Sequence, residues 1–96
     1  MKVRYLPRAF ADLQAIHSFV AKHDPNAALR ITGAIRQSIS ALAVFPEIGQ
    51  AVEDSEIRVL RSSHYSYNIY YALKATEVHV LHIRHPARKP PTPEEL

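Results

Sequence analysis

The chain has 96 residues, 47% of them hydrophobic and 22% charged, with a formal net charge of +3. This is the composition of one ordinary globular domain, too short for a large core, so a partner covering further apolar surface would add to its stability. The absence of cysteine excludes disulfides, thiolate metal sites and a thiol nucleophile. No run approaches the ~18 consecutive apolar residues of a membrane span and no signal-peptide pattern opens the chain, so the cytoplasm is the expected compartment. The mild basicity suits an acidic protein partner or nucleic acid.

Lys2 to Leu6, "KVRYL", alternates Val3 and Tyr5 with Lys2 and Arg4 and predicts a half-buried strand. Pro7 suits the first position of a helix, and Phe10, Leu13, Ile16 and Val20 recur at helical spacing, which predicts an amphipathic helix over residues 8–22. Asp24 as N-cap and Pro25 behind it restart the chain. Ala28, Ile31, Ile35, Ile39 and Leu42 form the stripe of a second helix that Phe45-Pro46 ends, and so short a link makes the two an antiparallel hairpin. The core expectation is Phe10, Leu13 and Ile16 against Ile31, Ile35 and Ile39.

"FPEIGQAVEDSE", Phe45 to Glu56, reads as a loop by its Pro, Gly and acidic content. Three strand-like runs follow: Ile57 to Arg61, Ser66 to Leu73 and Glu77 to Arg84. The result is an α+β domain of order β-α-α-β-β-β over residues 1–90, a helical hairpin on one face of a four-stranded antiparallel sheet. Residues 91–96 are expected to form an extended, proline-rich tail. By alternation Val78 and Val80 take one face of the last strand and Leu81 and Ile83 the other. The hairpin covers one face only, so a dimer mate or a partner segment is expected on the second.

The same alternation places His79 and His85 on one face about 20 Å apart, with His82 opposite, too far for one zinc ion. No metal site and no cofactor are therefore expected. Tyr67 and Tyr71 share a face with Ile69 while Tyr70 takes the other, which favours packing over a base-stacking platform.

Several features occur together in chain order: A-x-x-DL in the first helix, a Pro-plus-Gly loop after the second, an Arg at the start of a strand in "IRVL", the aromatic "YSYNIYY", and H-x-A-R in "VHVLHIRHPARKP". In this order they resemble the RelE/ParE superfamily of bacterial type II toxins, closest to the ParE-like, plasmid-stabilisation branch, over residues 3–90. The resemblance implies a toxin neutralised by a ParD-like antitoxin with an acidic amphipathic C-terminal segment, in a toxin–antitoxin hetero-oligomer. Members of the ParE branch poison DNA gyrase without hydrolysing a substrate, and members of the RelE branch cut mRNA on the ribosome; the shared fold does not separate them. A third alternative is a non-toxic binding module on a degenerate toxin fold.

For the gyrase reading, the implied target-binding residues are Arg58, Arg84, His85, Arg88 and Lys89. The implied antitoxin-binding residues are Leu13, His17, Tyr70, Val78 and Val80. A ribonuclease needs a base, cationic clamps and an acid close together, and Arg58, Arg61, Arg84 and His85 are its candidates, with Glu47 as the one carboxylate to test as base. Against it, Pro86 follows His85 where several nucleases carry an aromatic residue. The structural alternative for Arg58 is pairing with Glu53 or Asp54. For His85 and Arg88 it is a lock onto nearby loop carbonyls.

Overall fold

The computed structural model describes residues 1–96, the side chain of Pro93 excepted. Its elements run β1 (Lys2–Tyr5), α1 (Pro7–Ala21), α2 (Pro25–Ser40), a 3-10 turn (Ala41–Ala43), β2 (Gln50–Ala51), β3 (Ile57–Arg61), β4 (Asn68–Leu73), β5 (Glu77–Arg84) and a second 3-10 turn (Pro93–Glu95). Pro7 and Pro25 open their helices, where the missing N–H costs nothing, and the Asp24 carboxylate accepts the Ala27 N–H at 3.0 Å.

The sheet has five strands in the order β1-β5-β4-β3-β2. It is mixed: β1 runs parallel to β5 while the other pairs are antiparallel. This amends the expected four-stranded antiparallel sheet in two ways. The first strand enters parallel because it must cross the whole hairpin before meeting β5. Two loop residues, Gln50 and Ala51, pair with Val59 and Arg58 to add a short edge. β4 begins at Asn68, two residues later than alternation suggested, because Ser66 has φ 57 and belongs to the turn. The buried Ser62 ties that turn, its hydroxyl accepting the Tyr67 N–H at 2.9 Å.

The helices pack on one face of the sheet. Ala9 and Leu13 of α1 and Ile35 and Ile39 of α2 meet Ile69, Val80 and Ile83, while Leu42, Tyr71 and Val78 continue the core toward β3. The stripe of α2 matches expectation. That of α1 is rotated: Ala9 is fully buried and Phe10 is 53% exposed. The helix approaches the sheet closely enough that a methyl group fills the position, and the phenyl ring is turned away.

β5 carries an irregularity that changes its sidedness. Tyr71 pairs with Val80 but Tyr70 pairs with His82, so Leu81 is an extra residue, a β-bulge. Residues opposite one another share a face, so Val78, Val80 and Ile83 all point to the helices, and His79 and His82 point together to the outer face. The two-sided apolar strand expected from alternation does not exist, nor does the pairing of His79 with His85 on one side. Among the described residues, no group of three His, Cys, Asp or Glu side chains is placed to hold a metal ion. No described helix is long and apolar enough to cross a membrane.

The C-terminal residues do not extend away. Pro91 is buried, and the main-chain carbonyl of Glu95 accepts a hydrogen bond from His82 Nε2 at 2.7 Å, which folds the tail back along β5.

Candidate functional site

Two ends of the sheet carry the charged residues singled out above, and they are built differently. At one end Arg58, on β3, pairs with Tyr71 on the helix face. Its Nη1 donates to the carbonyls of Gly49 (2.8 Å) and Glu47 (3.1 Å). The Tyr71 hydroxyl donates to the Pro46 carbonyl at 2.8 Å and accepts the Gly49 N–H at 2.9 Å. Burial raises the Tyr71 phenol above its ordinary value and keeps it a donor. A Cβ on Gly49 would lie 2.7 Å from that ring, so glycine is required there by close approach. Arg58 thus binds neither Glu53 nor Asp54; it is a clamp on the 46–49 loop. Ile48 of that loop and Val44 and Phe45 just before it are exposed to solvent.

At the other end Arg61, Asn68 and Arg84 form a cross-strand row on the outer face. Arg58 stands three residues along β3 from this row, about 10 Å away at strand spacing, and on the opposite face. The four residues named for a ribonuclease are therefore not assembled, and Glu47 lies with Arg58.

Around Arg84 a groove of about 460 Å³ opens between α1 and the end of β5. Ile16, Phe19, Tyr67 and Ile83 give it an apolar wall, and Arg8, Arg84 and Arg88 rim it together with the His85 imidazole and the Asp12 carboxylate, which Arg8 pairs. His85 stands edge-on to Tyr67 with ring centroids 5.4 Å apart. Its Nδ1 accepts the Ala87 N–H at 3.0 Å, and the Arg88 N–H returns to the His85 carbonyl at 3.0 Å. H-x-A-R is therefore a tight turn presenting an imidazole and a guanidinium. The expected lock onto a loop carbonyl is made by Arg84 instead, which donates to Lys89 at 3.3 Å.

The Asp of A-x-x-DL has a role that was not legible from spacing. Asp12 accepts the Ile83 N–H at 3.0 Å, covering a donor that β1 leaves unpaired beyond Val80, and accepts Arg8 Nε at 2.8 Å. His82 Nδ1, fully enclosed and without a hydrogen-bond partner, lies 4.0 Å from the same carboxylate. The motif fixes α1 to β5: Ala9 for close approach, Asp12 for the strand edge, Leu13 for the core. His82, Phe19 and Glu95 also escaped sequence reasoning, since each acquires its role through a residue distant in the chain, as did Arg8, whose Asp12 partner lies one helical turn on.

Of the residues named for the antitoxin, Leu13, Tyr70, Val78 and Val80 are buried, and Val78 and Val80 fully so. Burial removes them as a contact surface. His17 is half-buried.

The two-helix layer on a mixed sheet, with an arginine-lined groove at one sheet end, defines a small α+β protein. Residues 3–90 match the family model described as the ParE toxin of the type II toxin–antitoxin system parDE, and the chain belongs to that family. It is 34% identical over 83 residues to Toxin RelE2 of Caulobacter vibrioides, covering 84% of this chain and 90% of the relative. A Sinorhizobium fredii protein with the provisional toxin name Y4kP is 30% identical over 84 residues, covering 88% and 86%. In fold it is similar to a chain of the chromosomal ParDE system of P. aeruginosa, with a TM-score of 0.77 at 24% identity, covering 88% of this chain and 95% of that one. Family membership implies an antitoxin partner.

Proposed function

We propose that the protein is a ParE-like toxin that acts in the cytoplasm by binding DNA gyrase, and that an antitoxin with an acidic amphipathic segment silences it by filling the groove beside Arg84. The observation that carries this reading is the groove itself. Apolar side chains from α1 and β5 are rimmed by Arg8, Arg84 and Arg88, the one carboxylate among them, Asp12, being paired with Arg8, and this suits a segment with carboxylates on one face and apolar groups on the other. Target and antitoxin then compete for one basic end, of which Arg84, His85, Arg88 and Lys89 are the contacts. Arg58 leaves that set because its guanidinium is engaged with loop carbonyls.

A second reading, mRNA cleavage, is favoured by the name of the Caulobacter relative and by the row that aligns Arg61 with Arg84. Against it, that row lies on the opposite face from Arg58. The deciding experiment induces the chain in bacteria without a partner, then tests purified protein in a gyrase supercoiling reaction and, in parallel, a translation reaction probed for cut message. Gyrase inhibition with intact message is the expected result. Cut message with unaffected gyrase overturns the proposal.

A further inference from the structure

One residue of the tail makes more contacts than its place near a chain end requires. The carboxylate of Glu95 accepts Arg84 Nη2 at 2.6 Å, and the main-chain carbonyl of the same residue accepts His82 Nε2 at 2.7 Å. Two neighbouring side chains of β5 therefore bind two different groups of one amino acid, its charge and its backbone. A free anion would satisfy the first contact and leave the second unused.

The bound segment is itself preshaped. The second carboxylate oxygen of Glu95 accepts the Thr92 N–H at 2.9 Å and the Thr92 hydroxyl at 3.2 Å, and the Glu95 N–H donates to the Thr92 carbonyl at 3.0 Å. This is one half of a Thr-x-x-Glu capping box, the carboxylate reaching back to the Thr92 N–H, closed by a main-chain bond within a single turn. These donors, led by the Thr92 N–H and then Arg84, hold the Glu95 carboxyl down at about 2.

The receiving side is built more deeply than the tail. The Arg84 side chain is 13% exposed and that of Glu95 42%. His82 is among the most enclosed polar residues. Arg84 and His82 both belong to β5, and the groove described above continues directly from Arg84.

We propose that Arg84 and His82 form a two-point reader for a glutamate residue in a turn of peptide, filled in cis by Glu95 and in trans by a glutamate of the silencing partner. That the partner is an antitoxin rests on the function proposed above; the reader itself does not. In cis the tail has the advantage of tethering, and a partner overcomes it by adding apolar contacts in the adjoining groove that the tail does not make. The tail is then an internal competitor that sets a threshold for weak acidic peptides.

The test uses the full-length chain and a fluorescein-labelled peptide of residues 89–96, KPPTPEEL, followed by fluorescence anisotropy. With Glu95→Ala the cis carboxylate is removed and only the backbone contact to His82 is left, and the peptide binds at least about tenfold more tightly than to the wild type. Adding Arg84→Lys to that variant keeps the charge but loses the planar fork, and reverses the gain. A peptide with Gln in place of its second Glu binds neither protein. Equal binding to wild type and Glu95→Ala, absent binding to both, or equal binding of the Gln peptide each overturns the reader. None of these readouts involves toxicity. Failure of the reader with growth arrest intact leaves the toxin reading standing, and peptide capture by a harmless protein does the reverse.

Discussion

Each end of the sheet is closed by an arginine that reaches a carbonyl of a neighbouring segment, yet the two closures differ in kind. Arg58 binds Glu47 and Gly49 in a loop that Tyr71 also holds, and every partner there is neutral backbone. Arg84 binds a carboxylate on a tail that a titration or a competing acid can release. Hydrogen bonds to main-chain carbonyls, which do not titrate, give a permanent joint, whereas a pair with a titratable carboxylate gives an exchangeable one. An arginine on a strand is thus structural or functional according to the segment it meets, which its own position in the sequence does not reveal.

Four measurements would break or sharpen this contrast. The largest effect belongs to Tyr71→Ala, which empties a fully buried aromatic site and frees the loop; a loss of about 3–5 kcal/mol is expected in denaturant unfolding. Arg58→Met should cost about 1–3 kcal/mol by loosening the same loop, whereas Arg84→Met should leave the denaturation midpoint nearly in place while reducing toxicity. Equal stability losses for the two arginines would erase the distinction. Gly33→Ala acts on neither end: the glycine is exposed in α2 with open space around it, so the substitution should raise stability by about 0.5–1 kcal/mol.

The smallest effect on global stability is that of acid on the tail. The folded value for Glu95 is depressed from 4.5 to about 2, so its contribution is complete above 4.5 and disappears as pH falls through about 2. NMR signals of residues 92–96 should shift across that window while those of the 46–49 loop stay still. Movement of both together would mean that the two closures are one cooperative unit.

Local chemistry made much of the architecture legible. The bounds of β3 and β5 follow from composition and alternation alone, and the starts of both helices follow from Pro7, Asp24 and Pro25. What stayed hidden depends on pairing. Nothing within "VHVLHIR" shows that Leu81 is supernumerary, because a bulge is defined by the strand opposite, and one unrecognised residue reversed the assignment of every side chain after it. Phe10 outranked Ala9 by hydrophobicity, but helix-to-sheet distance chose the smaller residue. In the site, Arg84, His85 and Arg88 do share one groove, as their clustering suggested. Asp12 and Glu95 did not stand out, since each becomes informative only beside a residue of β5.

The parallel seam between β1 and β5 joins Lys2–Tyr5 to Glu77–Val80, nearly the two extremes of the chain. Loop closure over that span comes late and slowly, after the local hairpins have formed. During synthesis the first strand emerges from the ribosome long before its only neighbour in the sheet has been made. The seam therefore closes only after β5 has emerged, and in the interval residues 2–5 are a strand without its sheet neighbour.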